Sequence, residues 1–209
     1  MAPAPVGALV LAAGLGRRFG SAKLLARWRD RPIISYVLDT VVLARDRGVI
    51  TGGVVVHRPD DVETVRMARE RGLEPHRNTR PAIGMASSLR LGLNALAADR
   101  WQPIEGALVV MGDQPLLRVE VIEALVNAFQ PPAEVIRPSY SVEPDAPGHP
   151  VIVHRRLWNR ARSLSGDQGF RGIETWANVR LETVAVEGAN PDVDTPEDLA
   201  GLEDASGPA

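Results

Sequence analysis

The chain has 209 residues, 24 basic and 26 acidic side chains, a formal net charge of −2 and no cysteine. Without a basic excess there are no counterions to release in bulk, which argues against electrostatic nucleic-acid binding. The lack of cysteine excludes disulfide scaffolds, thiol nucleophiles, iron–sulfur clusters and cysteine-ligated zinc.

The opening MAPAPVGALVLAAG is apolar, but no positive residue precedes the apolar stretch as a signal peptide requires. Val6 to Leu11 reads instead as a strand buried on both faces. Pro32 followed by Ile34, Leu38 and Val41 predicts a helix with proline in its first turn. Gly53 to His57 is the second strand. Asp60 with Glu63 resembles a capping box before Val62, Val65 and Ala68 at helical spacing. Leu73 to His76 is a short third strand. Met85, Leu89, Leu93 and Leu96 form a helix stripe, Ala107 to Met111 another apolar strand, and Val119, Ile122, Val126 and Phe129 the next helix. Beyond Gln130 prolines crowd the chain. Val135–Pro138 and Val151–Val153 read as strands flanking a loop that could carry function. The alternation predicts a mostly parallel sheet with helices on both faces. No run reaches the roughly 20 apolar residues that span a bilayer. A cytoplasmic protein without membrane or nucleic-acid partners is expected.

Chemistry concentrates in a few segments. LAAGLGRRFGSAK, residues 11–23, places Gly14, Gly16 and Gly20 after the first strand, where backbone amides cradle phosphates. The spacing is one residue too long for the dinucleotide fingerprint, and the second strand ends in His57-Arg58 rather than an acid. Ala22-Lys23-Leu24 does not fit a Walker A loop. A plain strand-to-helix turn with solvated arginines stays open. Yet 23 of the 24 basic residues are arginine, and the one lysine, Lys23, closes this loop. ALVVMGDQP sets Asp113 at a strand end, facing the same crevice if that strand lies beside the first. A carboxylate there suits Mg²⁺, but Gly112-Asp113 capping an ordinary turn before Pro115 accounts for it equally. In PDVDTPEDL, residues 191–199, Asp194 or Thr195 also reads as a helix start. The four histidines lack zinc-site spacing. His149, between Gly148 and Pro150 in the irregular segment, is the one set apart.

LAAG-x-G-x-R-x-G-x-x-K resembles the opening signature of nucleotidyltransferases related to molybdenum cofactor synthesis, shared less closely with methylerythritol phosphate cytidylyltransferases. Arg18, Gly20 and Lys23 match; Phe19 stands where methionine is commoner. GMASSLRLGL (84–93), GDQP, GHP (148–150), GDQGFR (166–171) and DVDTPED come in the order of the molybdenum cofactor cytidylyltransferase-like branch, from Val6 to Leu199. The resemblance implies a single-domain, Rossmann-like three-layer α/β/α fold of the nucleotide-diphospho-sugar transferase type. We expect this domain over residues 1–203, with a frayed tail at 204–209.

The same resemblance implies catalytic roles on the phosphates for Lys23 and Arg18. It implies nucleotide contacts from Ala12, Ala13, Gly14, Leu15, Gly16, Arg17, Gly84 and Ser88, with Mg²⁺ on Asp113 and Asp194. Gly148, His149, Asp167 and Arg171 would face the acceptor. The implied reaction transfers CMP from CTP to molybdenum-bearing molybdopterin, releasing pyrophosphate, with a molybdenum hydroxylase apo-enzyme as a further partner. CTP is favoured over GTP or another nucleoside triphosphate because guanylyl-transferring relatives carry glycine where this chain has Ala13. The stretch from Ser139 to Pro147 departs from many relatives, where a glycine precedes GHP more closely. The acceptor therefore stays open. A methylerythritol phosphate, a sugar phosphate, or a non-catalytic carrier of molybdenum cofactor are the alternatives.

Overall fold

The computed structural model describes residues 4–14, 16, 19, 22–98, 103–166, 176 and 178–205. In chain order these form β1 (Val6–Ala12), a 3-10 turn (Lys23–Leu25), a small hairpin of β2 (Arg27–Trp28) and β3 (Arg31–Pro32), α1 (Ile33–Asp46), β4 (Gly53–His57), α2 (Val62–Glu70) and β5 (Glu74–Arg77). A second 3-10 turn (Pro81–Ile83) leads into α3 (Met85–Leu96), β6 (Gly106–Met111), α4 (Val119–Ala128), β7 (Val135–Tyr140) and β8 (Val151–His154). A third turn (Arg155–Leu157), α5 (Trp158–Arg162), β9 (Leu181–Val186) and α6 (Pro196–Ala205) complete the chain.

The main sheet has the order β5-β4-β1-β6-β8-β7-β9. β8 runs antiparallel to β6 and β7, and the other pairs are parallel. Side chains alternate across it with the period of two that a pleated strand imposes. Val6, Ala8, Val10 and Ala12 of β1, with Leu108 and Val110 of β6, pack into a core with α1, α2 and α4. Leu9 and Leu11, with Val109 of β6, pack on the opposite face against α3 and the start of α5. This is the expected mostly parallel sheet covered on both faces. From β1 the chain moves outward to β4 and β5, then returns to β6 on the other side of β1. The carboxyl ends of β1 and β6 thus flank the point where strand order reverses, where such sheets bind ligands.

Several local expectations are corrected. The cap of α2 is Asp61, not Asp60: its carboxylate accepts from the Thr64 amide at 3.0 Å and the Thr64 hydroxyl at 2.8 Å. Glu63 pairs with Arg66 instead of closing a box. Pro32 is the N-cap of α1 and lies just outside the helix. The third strand begins at Glu74. β7 continues through Pro138 to Tyr140, because β8 pairs only with Val135 and Ile136 and asks no amide of the proline. The sequence reading does not anticipate the β2–β3 hairpin, α5 or β9. β9 is an edge strand whose residues are all partly or fully exposed, so its hydrophobic alternation is weak. α6 runs to Ala205, two residues into the stretch expected to fray.

Candidate active site

The crevice at the ends of β1 and β6 brings together Lys23 at the close of the glycine loop, Asp113 of GDQP and Asp194 of DVDTPED. Lys23 opens the 3-10 turn after the glycine loop. Its Nζ donates to Asp113 Oδ2 at 2.6 Å and to Asp194 Oδ1 at 2.9 Å. These partners are 90 and 171 positions away in sequence. The Lys23 and Asp113 side chains are largely buried, whereas that of Asp194 is 34% exposed. Burial alone would push the lysine's pKa down. The charge and hydrogen bond of Asp113, then those of Asp194, outweigh it and hold the pKa above its ordinary value.

Backbone geometry explains why these three meet. The Gly112 amide donates to Leu11 O at 3.0 Å, and a Cβ on Gly112 would lie 2.9 Å from that oxygen. Only glycine allows the turn carrying Asp113 so close to the end of β1. The Val193 amide donates to Asp113 O at 3.0 Å, clamping the extended 191–194 segment onto the same turn. Thr195 and Asp198 share a reciprocal cap at the start of α6. The Thr195 hydroxyl accepts from the Asp198 amide at 3.1 Å, and the Asp198 carboxylate accepts from the Thr195 amide at 2.8 Å. The capping role falls to Thr195, while the Asp194 carboxylate turns to the lysine.

Asp113 Oδ1 is buried and has no hydrogen-bond partner among the described residues. That oxygen, with the Asp194 carboxylate nearby, suits a hard divalent cation taking one or two carboxylates and completing its shell with phosphate oxygens and water. No cluster of three acidic or histidine ligands occurs among the described residues. Two residues before Asp194 stands Asp192, an exposed residue. Partial desolvation of its carboxyl, then the charges of Asp113 and Asp194, push its pKa up against the opposing pull of Lys23 and a Gln114 hydrogen bond.

A cleft runs away from this cluster between β1 and α3. It is lined by Ala13, Gly14, Gly16, Lys23 and Asp113 and by Leu11, Pro81, Ala82, Gly84, Met85, Ser88 and Met111. Ala12, the last residue of β1, is fully buried just before it. A Cβ on Gly14 would meet no atom of the described residues within 4 Å. Gly84, at φ 104°, is the N-cap of α3. A second pocket lies across the Asp113-Gln114 turn, lined by Gln114, Arg137, Tyr140, Gly148, His149, Asn190 and Asp192 among others. Gln114 Nε2 donates to Asn190 O at 3.0 Å, Asn190 Nδ2 to Gln114 Oε1 at 3.2 Å, and Tyr140 Oη to His149 O at 2.8 Å.

Lys23, Asp113 and Asp194 are thus brought together, Ala13, Gly14, Gly16, Gly84 and Ser88 share one cleft, and Gly148 and His149 stand in the neighbouring pocket. Leu15, Arg17, Arg18, Asp167 and Arg171 lie outside the described residues. Sequence reasoning missed Asn78, Asp192 and Asn190, and gave no role to Gln114 within GDQP. The i, i+2 spacing in DVD was the available signal for Asp192. Asn78 and Asn190 left none.

A family profile described as MobA-like NTP transferase domain matches residues 8–182. A probable molybdenum cofactor guanylyltransferase of Thermococcus gammatolerans is 30% identical over 121 residues, spanning 58% of this chain and 55% of that relative. A 2-C-methyl-D-erythritol 4-phosphate cytidylyltransferase of Acidithiobacillus ferrooxidans is 34% identical over 131 residues, spanning 58% and 54%. The chain therefore spans about half the length of these curated relatives. The crystal structure of Rv0371c from Mycobacterium tuberculosis H37Rv in complex with manganese is 25% identical with a TM-score of 0.76, covering 96% of this chain and 99% of that one.

Proposed function

The chain belongs to the MobA-like NTP transferase family, and from that premise we propose that it transfers a nucleotidyl group from a nucleoside triphosphate to a phosphate monoester. The observation that carries this reading is the Lys23–Asp113–Asp194 cluster at the mouth of the cleft. An oxygen of the acceptor phosphate bonds to the α-phosphorus as the bond to the bridging oxygen breaks, and pyrophosphate leaves with that oxygen. The acceptor phosphate is largely dianionic at neutral pH, its second pKa being about 6. It needs no general base, in keeping with a site built from a lysine and carboxylates. Lys23 and Arg18 hold the phosphates, with the backbone of residues 14–17. Asp113 and Asp194 would hold Mg²⁺, which when bound neutralises charge on the phosphate oxygens. The rest of the work is positioning: the cleft takes the nucleoside, and the pocket at Gly148, His149 and Asp192 takes the acceptor, with Asp167 and Arg171 assigned to it by resemblance.

CTP is the nucleotide we favour, because Ala13 lines the cleft at the position where the resemblance implies glycine in guanylyl-transferring relatives. The acceptor we favour is molybdenum-bearing molybdopterin, with a molybdenum hydroxylase as recipient of the product. The identity to a methylerythritol phosphate cytidylyltransferase keeps that acceptor as the second reading. The test is the product mass after incubation with CTP, Mg²⁺ and each acceptor, alongside pyrophosphate release by Lys23→Ala and Asp113→Ala. Both variants should lose at least about a hundredfold in rate. Activity within a few-fold of wild type in both would sink the assignment, and a clear preference for GTP in competition would contradict the Ala13 argument.

A further inference from the structure

The cleft is lined by the charged Lys23 and Asp113, by the apolar Leu11, Pro81, Met85 and Met111, and by Ser88. A nucleoside triphosphate bound here would set its phosphates against the charged side chains and its base against the apolar ones. The role derived for Asn78 rests on that nucleotidyltransferase reading.

Asn78 lies behind Ser88 and is 5% exposed. Its amide orientation is set by the backbone. The Arg80 N–H can only donate, and it donates to Asn78 Oδ1 at 2.9 Å. Nδ2 therefore faces the serines and places one hydrogen on each, reaching Ser87 Oγ at 2.8 Å and Ser88 Oγ at 2.9 Å. Ser87 passes its own hydrogen to Gly84 O at 2.8 Å. Ser88 accepts from Asn78, and its hydroxyl hydrogen has no acceptor among the described residues. That hydrogen is available to the cleft that Ser88 lines.

We propose that Asn78 is a positioning residue for base selection: it fixes Ser88 as a hydrogen-bond donor, so the protein selects a base presenting an acceptor at that point. The O2 and N3 edge of cytosine offers acceptors, whereas the N1–H and N2–H edge of guanine offers donors. A site built around one buried hydrogen bond rejects a ligand that cannot complete it, because the polar group is then left unpaired.

Asn78→Asp tests this at nearly constant volume. A carboxylate accepts from both serines, which turns the Ser88 hydrogen away from the cleft. Dissociation constants of CTP and GTP are measured by calorimetry with Mg²⁺ and no acceptor, alongside the melting temperature. Wild type should prefer CTP, and Asn78→Asp should weaken CTP by about tenfold while GTP stays level or tightens. Ser88→Ala should collapse the preference alike, and combining it with Asn78→Asp should add nothing. If Asn78→Asp does not fold, the serine variants decide. Ser88→Ala must remove the preference and Ser87→Ala must keep it; equal effects overturn the proposal. An unchanged CTP-to-GTP ratio in folded Asn78→Asp, or a wild-type preference for GTP, also overturns it. Wild-type protein that binds neither nucleotide overturns instead the nucleotidyltransferase reading on which it rests.

Discussion

Lys23 stands between the two acids that a divalent cation would bridge. Its Nζ lies 2.6 and 2.9 Å from oxygens of Asp113 and Asp194, while a Mg²⁺ ion on a carboxylate sits about 2.1 Å from oxygen. Asp113 Oδ1 has no partner among the described residues and is left to a metal, so a metal reaching from it to Asp194 competes with the lysine for the Asp194 carboxylate. A hydrogen bond to a charged group is worth about 1.5–3 kcal/mol, which converts to a handicap on metal affinity of roughly tenfold to a hundredfold. Lys23→Met removes that handicap. It also leaves the metal-free protein with two facing acids and no cation between them. Breaking a buried pair costs about 3–5 kcal/mol; with Asp194 34% exposed about 2 kcal/mol is the expected loss. For a chain of this size that lowers the melting temperature by roughly 4–8 °C. The assay is Mn²⁺ binding without nucleotide, followed by the resonance of free Mn²⁺, paired with melting in chelator and in Mn²⁺. Lys23→Met should bind Mn²⁺ at least about tenfold more tightly than wild type, melt lower in chelator, and recover more on adding Mn²⁺. Mn²⁺ affinity equal to or below wild type would refute the competition.

Gly112→Ala places a methyl 2.9 Å from Leu11 O; it should displace Asp113 and cut activity at least about tenfold in a pyrophosphate-release assay, with the sheet still intact by circular dichroism. Thr195→Ala and Asp61→Ala each remove a helix cap worth about 1 kcal/mol, so both should melt a few degrees lower, but only Thr195→Ala, adjoining Asp194, should also lower activity. Burial pushes the Tyr140 hydroxyl up from 10.0 to about 12, against the pull of Asn190 and Arg118. The unfolded chain then releases this proton first, so unfolding free energy should fall as pH rises from about 10 to about 12. In denaturant titrations across that window Tyr140→Phe should flatten the fall, and an identical slope in the two proteins would count against it.

The central part of the fold was legible because each buried strand is an unbroken apolar run and each helix a periodic stripe. Val6–Ala12 and Gly106–Met111 are buried through almost their whole length, and burial on both faces leaves no polar residue to blur the pattern. β9 was illegible for the converse reason: an exposed edge strand needs no hydrophobic face. Lys23 stood out as the one lysine closing the glycine loop, while Asp113 and Asp194 could be named only through the family resemblance, since alone each acid also fits an ordinary turn or helix start. Their meeting depends on strand order, which periodicity does not encode. Asn78 was out of reach, since its part is set by what its amide touches across the chain and nothing in the residues around it signals that.

The three charged residues of the cluster come from the first, middle and last portions of the chain, with 171 positions between Lys23 and Asp194. A ribosome must therefore have delivered the chain through Asp194 before this cluster exists. A nascent or prematurely ended chain lacking Asp194 would keep β1, β4, β5 and β6 yet hold Lys23 against a single acid. Assembly of the cluster requires translation through Asp194, and a protease clipping between β9 and α6 would cut the segment carrying Asp194 from the part of the chain that carries Lys23 and Asp113.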